Sequence, residues 1–145
     1  MSEAEEKSSQ RIPVVRNLKL LGDGTDGVLM GAVCGSCGEC FVGSPEFCAN
    51  CGSGDMQEKE LSKEGVLSTY TVIYVPPPGW TGDVPYILGQ VRLAEGPEVL
   101  TEMVDCARED IKIGMKMVLA LRVGGKDENG NEIIVHKWRP AEKSA

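Results

Sequence analysis

This chain of 145 residues has a single histidine, and aromatic side chains make up 5% of it. It contains no apolar run long enough to span a bilayer, and its opening Met-Ser-Glu-Ala-Glu-Glu lacks the apolar core of a secretory signal. Glycine strings of the P-loop or dinucleotide-binding type are also missing. We therefore expect a cytoplasmic protein that does not insert into a membrane and does not bind nucleotides through these motifs.

Positive charge is scarce as well. The chain has 15 Lys and Arg against 22 Asp and Glu, a formal net charge of −7. An acidic surface repels polyanions, and a module for single-stranded nucleic acid needs a basic groove lined with stacking aromatics. The shortage of both features predicts that nucleic acid is not a partner.

The most informative feature that is present is a set of two CxxC pairs, Cys34 with Cys37 and Cys48 with Cys51. Two residues between thiolates let both sulfurs reach one ion from a single tight turn. Four thiolates suit a closed tetrahedral Zn²⁺ site, which is structural because no position is left for substrate. Iron is the alternative metal, since rubredoxin uses similar pairs. A reducing compartment disfavours disulfides.

The remaining cysteines and the histidine offer little for catalysis. Cys40 and Cys106 are expected to be small, half-buried apolar residues, although Cys40 lies close enough to substitute as a metal ligand. A Cys106–His136 pair is conceivable, but nothing in the spacing orients it. We assign no catalytic residue and do not expect the chain to be catalytic alone. Phe41, Val42 and Phe47 are expected to pack over the metal hairpin.

The pattern predicts a mainly β protein in which a rubredoxin-like zinc ribbon precedes a five-stranded OB-fold barrel. We divide it into a tail and arm at 1–27, the ribbon at 28–61 and the OB-fold domain at 62–145. Residues 1–10 read as a disordered tail, and 11–27 as either a helix or an extended arm. The five barrel strands are predicted at 66–75, 86–93, 98–105, 115–123 and 132–138, with a short helical turn or a loop at 108–113.

These pieces, in this order, resemble the DUF35 family of zinc-ribbon/OB-fold proteins associated with acyl-CoA enzymes. The resemblance covers about 28–140 and is most specific at the cysteines. The other matching segments are Gly-Val-Leu-Ser-Thr-Tyr-Thr at 65–71, Pro-Tyr-Ile-Leu at 85–88, Glu-Gly-Pro at 95–97, Ile-Gly-Met at 113–115 and Trp-Arg-Pro at 138–140.

The resemblance implies a non-catalytic accessory subunit in a hetero-oligomer. Family members partner archaeal acetoacetyl-CoA thiolase, steroid side-chain aldolases and the benzoylsuccinyl-CoA thiolase of anaerobic toluene degradation. The ribbon would dock on a thiolase-fold catalytic subunit while the barrel helps to cover a CoA thioester undergoing Claisen or retro-Claisen chemistry. This short acidic chain is similar to the small subunit of the benzoylsuccinyl-CoA enzyme. The alternatives are an OB-fold module for single-stranded nucleic acid and a free-standing acyl-CoA binding protein.

Two further surfaces are candidate contacts for a ligand or partner. Pro78 and Trp80 lie in a proline-rich loop, which is pre-stiffened for docking unless Trp80 folds back on the barrel. Lys137 and Arg139 flank Trp138, and this trio could bind CoA phosphates through charge-assisted hydrogen bonds, or the two cations could be ordinary solvated charges. Tyr70 and Tyr74 share a predicted strand face and are expected in the barrel core.

Overall fold

The computed structural model describes residues 10–22 and 24–141. In that part of the chain every regular element is a strand, apart from one 3₁₀ turn at Arg108–Asp110. The strands are β1 (Arg11–Pro13), β2 (Leu18–Leu21), β3 (Asp26–Cys34), β4 (Cys40–Val42), β5 (Met56–Glu60), β6 (Glu64–Ile73), β7 (Tyr86–Leu93), β8 (Glu98–Met103), β9 (Lys116–Lys126) and β10 (Glu132–Pro140). No helix among these residues is long and apolar enough to cross a membrane.

The last five strands close into a barrel. Its strands follow the order β9-β6-β7-β8-β10, and β10 pairs back onto β9. All these pairings are antiparallel except that of β10 with β8, where Trp138 lies opposite Met103. Each of the five strands therefore has a partner on both sides, as in a small closed Greek-key barrel. The predicted mainly β fold with a five-stranded OB barrel is confirmed, and β7 lies where the alternation predicted it.

A smaller sheet is built around β3. Strands β2, β4 and β5 all pair antiparallel with it, and the register places Val33 opposite Cys40 and Cys34 opposite Met56. Because Cys34 is the last residue of β3, the first cysteine pair lies at one end of this sheet, as expected of a zinc ribbon.

One hydrophobic cluster joins the two sheets. Leu18 and Leu29 of the small sheet are almost completely buried, and they pack in the same cluster as Leu67, Met117 and Trp138 of the barrel. Apolar surface from both sheets is thus removed from water together. The small sheet therefore packs against the barrel. The domain boundary predicted between residues 61 and 62 stays a prediction.

A β-bulge in β6 changes which residues face the core. Leu67 lies opposite Val91 and Thr69 opposite Gln90, so Ser68 is the extra residue. An extra residue reverses the alternation that follows it. Leu67 packs in the core before the bulge, and Val72 packs against it beyond the bulge.

The expectation that Tyr70 and Tyr74 lie in the core was wrong. Tyr70 is 38% exposed and Tyr74 is 63% exposed. The strand ends at Ile73, so Tyr74 lies outside the pleat, where its hydroxyl accepts a hydrogen bond from Arg108.

The segment that precedes β3 is extended rather than helical. β1 runs parallel to β10, with Arg11 opposite Glu132, while β2 pairs with the first half of β3. The predicted tail at 1–10 lies outside the described residues except for Gln10, whose carbonyl accepts the Glu132 amide at 2.9 Å.

Candidate metal centre

Two backbone turns present the four cysteines. In each turn a glycine amide donates to the carbonyl of the first cysteine: Gly38 to Cys34 and Gly52 to Cys48, both at 2.8 Å. Gly38 has a φ of 82° and Gly52 a φ of 79°. Both lie in the left-handed region that side chains disfavour, which explains why a glycine follows each CxxC pair.

The four sulfurs form one cluster. The Sγ atoms of Cys34, Cys37, Cys48 and Cys51 all lie within 4.8 Å of one another. The closest approaches are 3.6 Å between Cys34 and Cys51 and 3.5 Å between Cys37 and Cys48. A tetrahedral ion with metal–sulfur distances of about 2.3 Å would hold its sulfurs roughly 3.8 Å apart. The cluster therefore has the dimensions of a four-thiolate metal site and could hold an ion.

Amide groups around the cluster favour thiolate at the first pair. The amides of Ser36 and Cys37 point at the Cys34 sulfur, each at 3.4 Å. The hydrogen bond from the Cys37 amide has the largest effect on the pKa of the Cys34 thiol. Together with the bond from the Ser36 amide it outweighs burial and lowers this pKa to about 6. The side-chain amide of Asn50 similarly lowers the pKa of Cys37.

The surroundings of Cys51 act in the opposite direction. The Ser53 amide favours the Cys51 thiolate, but the adjoining sulfur of Cys34 and those of the other two cysteines oppose it and raise the pKa of Cys51 to about 12. Neighbouring thiolates repel, so the fourth proton is retained unless positive charge compensates. A soft divalent ion removes that repulsion, and zinc and iron both suit an all-sulfur donor set.

Cys40 does not join this cluster. It is half-buried and packs against the hydrophobic core, and burial, followed by the charge of Glu95, raises the pKa of its thiol. The expected role as a small apolar residue is confirmed, and its substitution for a ligand receives no support from this geometry.

Cys106 and His136 do not form an activated pair. Cys106 is half-buried against the core, and burial, together with the charge of Asp110, raises the pKa of its thiol. A protonated thiol is a poor nucleophile. Burial, then the neighbouring Lys137, lowers the pKa of His136, whose Nδ1 is buried without a hydrogen bond to any described residue.

The two tryptophans are placed very differently. Trp138 is completely buried in the barrel, where its Nε1 donates to the Val99 carbonyl at 3.2 Å. Its assignment to a ligand-contact surface was therefore wrong, because an inward position on β10 removes the indole from solvent. Trp80 folds back on the barrel: its ring stacks on Tyr86 at 4.0 Å between centroids, and its Nε1 donates to the Asp83 carbonyl.

The charged candidates beside Trp138 are partly committed to other contacts. Lys137 pairs with Glu102 at 2.8 Å, both side chains being less than a quarter exposed, and its Nζ lies 5.9 Å from the Trp80 ring centre. Arg139 is half-buried on the same strand, and Pro78 is exposed in the loop before Trp80. Trp80 and Lys137 thus share one patch on the barrel.

Comparison with known proteins identifies the family. Residues 58–122 match the family model described as ChsH2, C-terminal OB-fold domain. A DUF35 domain-containing scaffold protein from Methanocaldococcus jannaschii is 32% identical over 116 residues, which cover 79% of this chain and 82% of that protein. This chain belongs to the DUF35 family.

Two further relatives of this DUF35 protein are informative. The solved structure of the Ltp2-ChsH2(DUF35) aldolase contains a chain that is 30% identical, with a TM-score of 0.60; the match covers 79% of this chain and 86% of that one. A probable enoyl-CoA hydratase alpha subunit from Thermomonospora curvata is 37% identical over 73 residues, which are 50% of this chain and 22% of that protein.

Two features of this DUF35 protein escaped the sequence analysis. Phe47 does not pack over the hairpin as expected but is 65% exposed, because Cys48 after it turns inward while Phe47 turns outward. The Glu95 carboxylate accepts hydrogen bonds from the amide and hydroxyl of Ser62, which joins the ribbon to the barrel. Ser62 lies 33 residues before Glu95, so local sequence does not reveal this contact.

Proposed function

We propose that this chain is a zinc-containing, non-catalytic accessory subunit of an acyl-CoA thiolase complex. The observation that carries the proposal is the similarity to the Ltp2-ChsH2(DUF35) aldolase, which is 30% identical and extends over most of both chains. The relative named as a scaffold protein agrees with a role in assembly.

In this proposal Cys34, Cys37, Cys48 and Cys51 hold a structural Zn²⁺ ion. The bound ion would supply a cross-link between the two turns and compensate the charge of four thiolates. The amides of residues 36 and 37, which donate to the Cys34 sulfur, and those of residues 50 and 51, which donate to the Cys48 sulfur, would orient these two ligands. Metal-free thiols need a reducing environment, in keeping with a cytoplasmic location.

The substrate of the complex would be a CoA thioester undergoing Claisen or retro-Claisen chemistry, and benzoylsuccinyl-CoA is the first ester that we would assay. A partial match to a probable enoyl-CoA hydratase subunit supports CoA esters as the substrate class. On this chain Lys137, Arg139 and the Trp80 edge remain candidate contacts. A CoA phosphate would have to compete with Glu102 for Lys137, so we assign most of the CoA site to the partner.

The test is reconstitution. The full chain, tagged and expressed in its native host, should co-purify with a thiolase-fold protein, and acyl-CoA cleavage by that protein should depend on adding the chain back. Activity of the partner that is unchanged without this chain would refute the proposal. Calorimetric titration of the isolated chain with CoA esters tests the alternative: tight binding without a partner would favour a free-standing acyl-CoA binding protein.

A further inference from the structure

Phe47 is an aromatic ring that the fold leaves in solvent. It is 65% exposed, and its ring lies over the backbone of Gly54, where a Cβ atom would be 3.6 Å from Cε1. Phenylalanine is among the side chains most often buried, and an exposed ring offers a large apolar contact area. Single exposed apolar residues are common, so the surroundings of Phe47 decide whether it has a role.

The backbone that carries Phe47 is tightly held. The next residue, Cys48, is 3% exposed; its amide donates to the Ser53 carbonyl and its carbonyl accepts from Gly52, both at 2.8 Å. A contact residue on such a turn loses little conformational entropy when a partner binds. Phe47 is therefore presented in a fixed position next to the metal cluster.

The surface around Phe47 is acidic. Glu46 precedes it, and Asp55 follows the glycine on which the ring lies; both carboxylates are exposed. Three further exposed acids belong to the ribbon, Glu39, Glu58 and Glu60, whereas Lys59 is its only base; Lys19 of the adjoining β2 lies 4.0 Å from Glu60. Four thiolates around a divalent ion would add further negative charge.

This combination of charge and apolar area selects the kind of partner. A second copy of the chain would bring acidic ribbon against acidic ribbon, and nucleic acid or an anionic membrane would also be repelled. An apolar pocket with a rim of Lys and Arg complements both the ring and the carboxylates. Buried aromatic anchors of this kind contribute much of the affinity at protein interfaces.

We propose that Phe47 is the anchor by which the tip of the ribbon docks into a basic-rimmed apolar pocket on the thiolase-type subunit. The inference rests on the proposed function and adds to it the residue and the chemistry of the contact. Glu46 and Asp55 steer the encounter, and Phe47 determines how long the complex lasts.

The experiment uses the full chain with metal bound and the thiolase-type protein that co-purifies with it, identified by mass spectrometry and then purified. Affinity and association rate are measured for wild type, Phe47→Ala, Ile113→Ala and the double variant E46Q/D55N. Ile113 is the matched control because it is also 65% exposed but lies on the barrel. Glu128→Gln is the control for charge, since this carboxylate is exposed in the β9–β10 turn.

We expect Phe47→Ala to weaken binding by about 30-fold or more, mainly through faster dissociation, and Ile113→Ala to change it by less than about twofold. E46Q/D55N should slow association and reduce its dependence on salt, while Glu128→Gln should not. Equal zinc content in all variants shows that the ribbon has kept its fold.

A photo-crosslinker, p-benzoylphenylalanine at position 47, gives a second readout that retains an aromatic ring. A cross-link to the thiolase-type protein supports the proposal, and one to a second copy of this chain overturns it. If wild type binds the thiolase-type protein and Phe47→Ala binds within about twofold as tightly, the anchor is refuted while the proposed function stands. If wild type binds no thiolase-type protein, both fail.

Discussion

Replacing Cys48 by serine removes one sulfur from a site that holds four. Cys48 is 3% exposed and its Sγ lies 3.5 Å from that of Cys37. A serine hydroxyl stays protonated at neutral pH and is a far weaker zinc ligand than thiolate. Structural zinc contributes roughly 10–16 kcal/mol of binding free energy, so one ligand in four accounts for about 2.5–4 kcal/mol. We therefore expect zinc affinity to fall by about 10² to 10³.

The loss of order should be local. Most of the ribbon tip is exposed, whereas Leu18, Leu29 and Leu61 at its base are packed in the core that the barrel shares. The amides of Gly38 and Gly52, which donate to cysteine carbonyls, should exchange with deuterium rapidly, while amides of β7 stay protected. Hydrogen exchange with mass spectrometry, together with zinc titration against a competing chelator, measures both effects.

Cys40→Ser is the matched control. Cys40 is half-buried and lies outside the sulfur cluster, so we expect unchanged zinc affinity and a loss of at most about 1 kcal/mol in stability. The reasoning would be refuted if Cys48→Ser kept the zinc affinity of the wild type, or if Cys40→Ser lost as much as Cys48→Ser. The second result would make Cys40 a ligand.

Three other substitutions test the fold. Trp138→Phe leaves the Val99 carbonyl without its donor and opens a cavity, and urea unfolding should show a loss of about 2–4 kcal/mol. Glu95→Gln weakens the bonds to Ser62. Burial raises the pKa of Glu95, but hydrogen bonds from its own backbone amide and from Ser62 outweigh burial and hold the pKa below its usual value of 4.5. Its contribution is complete above pH 4.5 and is lost as pH falls through the folded pKa, so unfolding curves of wild type and variant should converge in acid. Gly65→Ala would place Cβ 2.5 Å from a backbone carbonyl oxygen of β7, and we expect about 1–3 kcal/mol of destabilisation, with the melting temperature as the measurement.

The parts of this protein that sequence predicted are those that depend on neighbours in the chain. Two residues between cysteines and a glycine after each pair specify a turn whatever surrounds it, which is why the sulfur cluster formed as expected. Regular alternation of apolar residues predicted β7, and the structure buries its inward residues Ile87, Val91 and Leu93 in the core. The turn at 127–131 likewise depends on near neighbours, since Asp127 accepts hydrogen bonds from the amides of Asn129 and Asn131.

What tertiary structure decided was the placement of residues whose partners are distant in sequence. The bulge at Ser68 reverses the facing of β6 because pairing with β7 sets the register, and a strand read alone shows no extra residue. Sequence alone does not distinguish the surroundings of Trp80 and Trp138, yet Trp80 stacks half-buried on Tyr86 while the barrel encloses Trp138 completely. Residues 11–13 and 18–21 are strands because they pair with β10 and β3, respectively. Phe47 stands exposed because Cys48, the next residue, turns inward to the sulfur cluster.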